Sequence, residues 1–419
     1  MSLAGLFVIA VLGLNLLALP YLAMMLVAAV SALTGTRRTR LPDEPTTRFL
    51  IVVPAHDERA GIAQTVASCR AQEYPDDLFD VLVIADNCSD DTAPLAAAAG
   101  AEVVVRQTPD RRSKGHAIEY LIERLQESGR FDELDALVVI DADTFASPDL
   151  LRKFDARVRA GDDWIQGYYT VANADATWRT RLMTYAFSLI NGVSPFGLGR
   201  LGVSSPLGGN GMCFTARGLR RVPWRAYGLV EDYEYSWTVR RAGGFVAFLP
   251  DAVVKATMLE GGGEAAVNQR RRWEAGRKEL KRRLFGEVLR DRAMRLGDRV
   301  IALVQLTTPT TTRLLALLLL LSGLNLAGLW ALGGPTAGPA GWVLAGFCLL
   351  TVATVATYAL SPFVVFGVPW RYLGTLARVP VYAAWKLTAR AGRKPEGWVR
   401  TTREPEAGRA AAREDAPAG

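Results

Sequence analysis

The sequence predicts an α/β domain built on a mostly parallel sheet and joined to about three transmembrane helices. Residues 1–36 and 314–370 contain no Asp, Glu, Lys or Arg, which is typical of membrane-embedded segments. The block between them alternates short β-branched runs with helical segments, which is typical of a parallel sheet covered by helices. Half of the 419 residues are hydrophobic and 22% are charged. This composition excludes collagen-like, disordered and disulfide-scaffold proteins.

The two uncharged regions contain the predicted spans. A helix needs about 20 apolar residues to cross a bilayer core, so the first region accommodates one span, at 6–30. The second accommodates two, at 314–332 and 341–360, separated by the turn GGPTAGP. A cleaved signal peptide is the alternative for the first span, but no basic residues precede its apolar run. A buried core hairpin is the alternative for the other two.

Basic residues flank all three spans on the same predicted side. Arg37 follows the first span, Arg313 precedes the second and Arg371 follows the third. By the positive-inside rule, the middle block and the tail are cytoplasmic in a multi-pass protein of the plasma (inner) membrane. The predicted domains are a transmembrane helix (1–36), a cytoplasmic domain (37–285), a basic interfacial helix or linker (286–312), a transmembrane hairpin (313–370), and an interfacial segment with a disordered tail (371–419).

The net charge of +7 comes from 49 basic and 42 acidic residues, and the basic excess is concentrated in 269–299. This segment is either a helix that contacts anionic lipid headgroups or a solvated helix face. No zinc-finger spacing and no RNA-binding signature accompany it, so nucleic acid is not a predicted partner. The four cysteines form no CxxC pair, and there are only two histidines, which argues against a zinc site. Free thiols fit a reducing compartment.

Four strands are predicted in the cytoplasmic block, at 49–53, 81–84, 102–105 and 137–140, with helices at 60–71, 91–99 and 113–127. Ligands of such sheets bind at the carboxyl ends of the strands. Polar or special residues follow each predicted strand: Pro54, Ala55 and Glu58 after the first, Asp86 after the second, Lys114 beyond the third, and Asp141 and Asp143 after the fourth.

Asp141 and Asp143 are the most informative of these residues. Two carboxylates so close together repel each other, and a divalent cation offsets that repulsion. Mg²⁺ typically binds one or two carboxylates together with substrate phosphates. The pair therefore predicts a nucleotide-diphosphate site. Helix capping is the alternative for each strand-end residue, and it is the preferred interpretation for Asp90 or Asp91.

Three further elements carry candidate residues, and each has a simpler explanation. The loop at 207–212 allows close backbone approach to a ligand, or is an ordinary turn. An acidic pair opens a helix that runs to about residue 242, where acids also favour a helix start. A Gln-x-x-Arg-Trp motif lies in the basic segment, where solvated charge is the alternative. The residues concerned are Gly209, Asn210, Glu231, Asp232, Gln269, Arg272 and Trp273.

Taken in order, the motifs VVPAHDE, ADNCSDD, KG, DAD, GGNG, ED and QRRRW resemble those of inverting family 2 glycosyltransferases with the Rossmann-like GT-A fold. The resemblance covers about 49–285 and the membrane layout. It is strongest to the membrane-bound branch that includes cellulose synthases, hyaluronan synthases and bacterial exopolysaccharide glycosyltransferases. It implies a bacterial transferase that uses a nucleotide sugar, normally a UDP-sugar, in exopolysaccharide or glycolipid assembly.

The resemblance implies roles for the donor-side residues. Pro54, Ala55 and Glu58 would border the nucleoside. Asp86 would accept a hydrogen bond from the base, normally uracil, and Lys114 would lie near the base or the diphosphate. Asp141 and Asp143 would bracket the donor diphosphate and its metal, Mg²⁺ or Mn²⁺, with Asp143 as the direct ligand.

The resemblance also implies roles on the acceptor side. Asp232, beside Glu231, would be the general base. Gln269, Arg272 and Trp273 would close over the diphosphate and the acceptor, although packing near the membrane is an equal alternative for the Trp273 side chain.

The implied acceptor is lipid-linked or a glycan, at the membrane surface, and other polysaccharide-assembly proteins are candidate partners. Three spans are few for a polymer channel, so transfer of one or a few sugars is the preferred hypothesis. A processive synthase and a non-catalytic nucleotide-sugar-binding scaffold are the alternatives.

Overall fold

The computed structural model describes residues 2–292, 294 and 296–388. The predicted disordered tail, with the predicted interfacial residue Trp398, lies outside these residues.

The described chain contains eight strands and fourteen α-helices. The strands are β1 (Phe49–Ala55), β2 (Phe79–Asp86), β3 (Glu102–Arg106), β4 (Ala136–Val139), β5 (Thr144–Ala146), β6 (Trp164–Val171), β7 (Met212–Thr215) and β8 (Val246–Ala256). The helices are α1 (Leu3–Leu33), α2 (Ile62–Arg70), α3 (Thr92–Ala98), α4 (Lys114–Glu127), α5 (Leu150–Arg159), α6 (Trp178–Phe187), α7 (Ser194–Gly199), α8 (Ala216–Arg221), α9 (Glu231–Arg241), α10 (Glu264–Arg290), α11 (Leu296–Thr307), α12 (Thr311–Leu332), α13 (Pro339–Val365) and α14 (Val379–Thr388).

All eight strands form one sheet in the order β3-β2-β1-β4-β7-β6-β8-β5. The half made of β3, β2, β1 and β4 is parallel throughout, because α2, α3 and α4 connect these four strands in chain order and return the chain to the same edge each time. The short strand β7 is antiparallel to both of its neighbours, β4 and β6. The predicted α/β class with a mostly parallel, GT-A-like sheet is confirmed.

Helices cover both faces of the sheet, and each face has its own apolar core. One core packs α2, α3 and α5 on the sheet, and the other packs α4, α8 and α9. β1 is buried along its whole length. A strand buried on both faces is a continuous apolar run in sequence. The end of this run marks the end of the strand, so the motif residues that follow it could be recognised.

Three of the described helices, α1, α12 and α13, are long and apolar enough to cross a membrane. They contain the predicted spans 6–30, 314–332 and 341–360. Asn15 of α1 and Asn325 of α12 are both buried and exchange two amide hydrogen bonds of 2.7 and 2.9 Å. Such a pair satisfies polar groups that hydrocarbon cannot, and it fixes the register of the two helices.

The α/β domain packs directly on α1 through a connection between β6 and β7. This connection contains α6, a π-helix (Ser188–Val193) and α7. A Cβ atom on Gly197 of α7 would lie only 1.9 Å from the carbonyl oxygen of Ala28 in α1. The two backbones therefore touch, and only glycine permits that approach.

The structure extends the predicted elements and adds several. The sequence predicts no strand after residue 140, yet β5 to β8 complete the sheet. The basic segment 269–299 is not one helix: α10 begins at Glu264 and ends at Arg290, and α11 begins at Leu296. The predicted domain boundary at 285/286 falls inside α10.

Candidate active site

A cavity of about 2170 Å³ extends from the carboxyl ends of the parallel strands to the candidate spans. Most predicted site residues line it: Pro54, Glu58, Lys114, Asp141, Asp143, Gly209, Glu231, Asp232, Gln269, Arg272 and Trp273. Ala55, Asp86 and Asn210 lie behind its wall, with at most 1% of each residue exposed. The topology thus brings residues more than 200 positions apart to a single cavity.

Lys114 connects three of the predicted motifs. Ser113 caps the helix that begins at Lys114, since its Oγ accepts a hydrogen bond of 3.2 Å from the His116 amide. The Lys114 ammonium donates to a carboxylate oxygen of Asp141 and to the carbonyl oxygen of Gly209. Burial alone would lower the pKa of Lys114, but the charges of Asp141 and its other acidic neighbours outweigh burial and raise it. The lysine is therefore a permanent cation.

Gly209 lies against the proposed base. Its φ of +78° is in the left-handed region, which favours glycine. A Cβ atom on this residue would lie 3.0 Å from Oδ2 of Asp232. Asn210 supports the same loop, because its Oδ1 accepts a hydrogen bond of 3.2 Å from the Asp141 amide and its Nδ2 donates to Thr144 Oγ1 at 2.6 Å. The predicted loop at 207–212 therefore lies between the two acidic motifs and contacts both.

Glu231 and Asp232 occupy the first turn of α9 and point toward Lys114. Burial and then the charge of Asp232 raise the pKa of Glu231 to about 7. Burial also raises the pKa of Asp232, and the Tyr233 amide and the Lys114 charge offset part of that effect. A carboxylate with a raised pKa accepts a proton more readily near neutral pH. The pair therefore has the properties of a general base.

The Gln-x-x-Arg-Trp motif lies in the first half of α10 and contributes one wall of the cavity. Arg272 makes no hydrogen bond or ion pair among the described residues. Burial lowers the pKa of Arg272, whereas the charges of Glu231 and Asp141 act in the opposite direction. A guanidinium that lies near these acids without binding them is available for an anion with bidentate geometry, such as a diphosphate.

Asp86 is prepared as a hydrogen-bond acceptor. It ends β2 beside Arg106, which ends β3, and the two side chains form a buried ion pair of 2.5 Å through Asp86 Oδ1. Within the described chain, the buried oxygen Oδ2 accepts no hydrogen bond. Asn87 follows with a φ of +51°, and its Nδ2 donates to Asp86 Oδ1 at 2.9 Å. This acceptor lies behind the cavity wall, so a nucleobase N–H group would reach it only after the wall residues move.

The donor set at Asp141 and Asp143 fits a hard divalent cation. Both residues lie between β4 and β5, anchored by the Thr65 hydroxyl, which donates to the Ala142 carbonyl at 2.9 Å. Carboxylate oxygens suit Mg²⁺ and Mn²⁺, and donor phosphates would complete the coordination. Asp141 also contacts Lys114, and Asp143 accepts a hydrogen bond of 3.2 Å from Thr144 Oγ1.

A second group of potential ligands was not predicted. Atoms of Asp57, Cys88 and Asp90 lie within 4.8 Å of one another. Their oxygens are used locally: Asp57 accepts from the Ser89 amide at 2.6 Å, and Asp90 accepts from the Thr92 amide at 3.0 Å. This geometry stabilises the turn that leads into α3, which agrees with the capping role preferred for Asp90 or Asp91.

Sequence reasoning missed several functional candidates on the later strands. Tyr169 on β6 lines the cavity, and burial together with the charges of Asp143 and Asp141 raises its pKa strongly. Gln166, also on β6, accepts a hydrogen bond of 2.8 Å from the Gly208 amide through its Oε1. Arg106, which follows the third predicted strand, was given no role in the sequence analysis because an arginine at a strand end has no fixed partner in sequence. The sequence of β6, WIQGYYTV, does not alternate apolar and polar residues, so it gave no clear strand signal.

Comparisons with known proteins agree with the geometry. The family model described as "Glycosyltransferase like family 2" matches residues 45–276. A mannosyltransferase from Pyrobaculum calidifontis, solved with GDP-Man and Mn²⁺, is 18% identical over 92% of this chain and 99% of its own, with a TM-score of 0.52. This likeness shows the fold.

Two other solved structures are similar at lower scores. Residues 1–349 of S. aureus TarS are 12% identical over 82% of this chain and 89% of their own, with a TM-score of 0.43. Glucosyl-3-phosphoglycerate synthase from Mycobacterium tuberculosis, solved with Mg²⁺ and UDP, is 22% identical over 51% and 72%, with a TM-score of 0.36. No curated protein matches the sequence.

Proposed function

Because this chain belongs to the glycosyltransferase-like family 2, we propose that it moves a sugar from a nucleotide-diphosphate donor, a UDP-sugar, to an acceptor hydroxyl with inversion at the anomeric carbon. One observation carries the proposal. Lys114 contacts both Asp141 and Gly209, and Gly209 lies against Asp232. A diphosphate-binding motif and a candidate base therefore share one cavity.

The base side of the reaction belongs to Asp232. The acceptor oxygen bonds to the anomeric carbon as the bond from that carbon to the diphosphate oxygen breaks. The acceptor proton passes to the Asp232 carboxylate, whose raised pKa favours its capture. The charge of Asp232 in turn raises the pKa of Glu231 to about 7, so the two carboxyl groups titrate as a coupled pair.

Cationic groups stabilise the leaving diphosphate. The diphosphate gains negative charge as the sugar departs through an oxocarbenium-like state. Arg272 and Lys114 supply fixed positive charge where that negative charge develops. A divalent metal held by Asp143 and Asp141 would supply Lewis-acid stabilisation of the same diphosphate when bound. Asp86 would accept a hydrogen bond from the base through Oδ2.

The proposed site of action is the cytoplasmic face of a plasma membrane. The apolar helices α1, α12 and α13 would span the bilayer, and Arg37 and Arg313 lie at the ends that face the α/β domain. The cavity reaches residues of these helices. This continuity supports a lipid-linked or glycan acceptor and a role in exopolysaccharide or glycolipid assembly.

Nucleotide release tests the proposal. The full chain in detergent with native lipid extract is supplied with UDP-sugars and, for comparison, GDP-mannose, and the released nucleotide is measured with and without EDTA. We expect release from one donor, dependent on a divalent metal. Asp232→Asn should reduce it by about 10²–10⁴-fold, the usual contribution of a positioned general base.

Two controls sharpen this test. Asp77→Asn makes the same chemical change at an exposed position outside the cavity and should leave release unchanged. Donor binding measured by calorimetry should survive in Asp232→Asn. Full turnover of Asp232→Asn would refute the base assignment. Product length by mass spectrometry separates addition of one sugar from processive synthesis.

A further inference from the structure

The cavity contains a group of cations beyond the proposed base that the transfer reaction itself does not use. Arg240 on α9, Arg277 and Lys281 on α10, and Arg313 on α12 all line its membrane-facing part. None of these four side chains forms an ion pair with a carboxylate among the described residues. Arg240 instead donates to the Gln305 side-chain oxygen at 2.8 Å and to the Asp298 carbonyl at 3.2 Å.

Lys281 is a half-buried member of this cation group. Its ammonium donates to the carbonyl oxygens of Thr308 at 2.8 Å and of Gln305 at 3.4 Å. Burial and the nearby charge of Arg277 lower the pKa of Lys281 to about 8. A half-buried cation without a carboxylate partner is unfavourable, and an anion entering the cavity would offset part of its lost hydration. The site therefore favours a negatively charged ligand.

The cations are ordered along the cavity. Arg272 is influenced by Asp141 and Glu231, at the donor end. Arg277 influences Asp232 on one side and Lys281 on the other. At 1.5 Å per residue, roughly 13 Å of helix axis separates Arg272 from Lys281. An anion at Arg277 and Lys281 is thus distinct from the donor diphosphate, and the base lies between the two.

The cavity becomes apolar beyond Lys281. Its wall there is formed by side chains of the three candidate spans and of the connection that packs on them. These residues include Met24, Met25, Leu314, Leu315, Val355 and Leu189. A hydrocarbon chain is the natural occupant of such a wall, because its burial removes apolar surface from water.

We propose that Arg277 and Lys281 bind the phosphate of a phosphate-bearing lipid acceptor, with the hydrocarbon chain against the spans and the accepting sugar hydroxyl at Asp232. This inference rests on the proposed function, since the lipid is its acceptor. Arg240 and Arg313 extend the positive field around the phosphate. The acceptor class is a sugar joined to a lipid through phosphate rather than a neutral glycolipid.

Direct binding tests this proposal without requiring turnover. The full chain in detergent is titrated by calorimetry with farnesyl phosphate, farnesol, inorganic phosphate and a short-chain phosphatidylglycerol. We expect farnesyl phosphate to bind at least about tenfold more tightly than farnesol or inorganic phosphate, a difference of about 1.4 kcal/mol. Arg277→Gln and Lys281→Gln should each weaken the binding of farnesyl phosphate about tenfold.

Controls separate a binding defect from misfolding. Arg290→Gln removes a cation from the same helix outside the cavity and should bind like the wild type. Because Lys281 bonds two backbone carbonyls, its variant is accompanied by a melting curve, and the exposed Arg277 provides the variant that does not depend on that packing. Donor nucleotide binding should be unchanged in both.

Each outcome decides the proposal. Equal binding of farnesyl phosphate and farnesol, or variants that match Arg290→Gln, would overturn it. Phosphatidylglycerol that binds as tightly as farnesyl phosphate, with the same dependence on Arg277 and Lys281, would assign the site to a resident membrane lipid and overturn the acceptor role. Asp232→Asn should bind farnesyl phosphate normally, so failure of the proposed catalysis would leave this result intact and distinguishable.

Discussion

Replacing Glu231 by Gln should move the acid limb of the pH profile of kcat/KM to lower pH. Glu231 and Asp232 are consecutive residues of one helical turn, and burial raises the pKa of both. The base is protonated and inactive below the raised pKa, so activity falls as pH decreases through it. Glutamine removes a like charge while keeping the shape, and proton loss from Asp232 then occurs at lower pH.

The size of the shift follows from the charge that is removed. Carboxylates on consecutive residues of a helical turn lie roughly 7 Å apart. At an effective dielectric constant of about 20, two unit charges at that separation repel by roughly 2.4 kcal/mol. Division by 1.36 kcal/mol per pKa unit gives about 1.7 units. Lys114 lowers the pKa of both acids in the wild type and in the variant, so the expected shift stays at about 1–2 units.

Initial rates of nucleotide release across roughly pH 5–9 measure this effect, since kcat/KM reports the free enzyme. Glu231→Asp is the matched control, because it retains the charge and should keep the limb near the wild-type position. The pair titrates as a unit, so the limb is assigned to the pair in the wild type and to Asp232 in Glu231→Gln. A limb that stays in place or moves to higher pH in Glu231→Gln would refute the electrostatic coupling.

Three further outcomes are expected. Arg272→Lys keeps the charge but loses bidentate geometry, so kcat for nucleotide release should fall about tenfold or more; an unchanged kcat would exclude diphosphate contact. Gly209→Ala forces a Cβ into left-handed backbone, which should lower the free energy of unfolding by about 1–2 kcal/mol and reduce kcat. Denaturant titration should show no such loss for alanine at Gly297, which has open space around it and lies within α11. Asn15→Leu leaves Asn325 without its partner and should lower the free energy of unfolding by about 1–2 kcal/mol, measured by a thermal melt. The variant with leucine at both positions should recover part of this loss, whereas additive losses would contradict the coupling of the two residues.

Local sequence carried much of the fold and the site. β1, β2 and β4 are apolar runs, and the residues that follow them were found because parallel strands deliver their carboxyl ends to one edge. Lys114 and Asp141 were both predicted from sequence. That one contacts the other was not, because the contact depends on how α4 docks beside β4.

The second half of the sheet was beyond sequence reasoning. β6 interrupts its apolar residues with Gln166 and Gly167, and β7 has only four residues. Their pairing joins residues far apart in the chain, so no local pattern specifies it. Tyr169 was missed with its strand. Arg277 and Lys281 were not identified as candidates because they belong to a run of basic residues. The members of that run differ only in the direction in which each side chain leaves the helix.

The contact between Gly197 and Ala28 fixes the position of the α/β domain relative to α1. Because α7 and α1 touch backbone to backbone, the carboxylates of the proposed base are held at one height above any bilayer that α1 enters. An acceptor must bring its reacting hydroxyl to that height, so chain length between lipid and hydroxyl becomes a selected property. A fragment without α1 would lose this fixed height as well as the surface on which α7 packs.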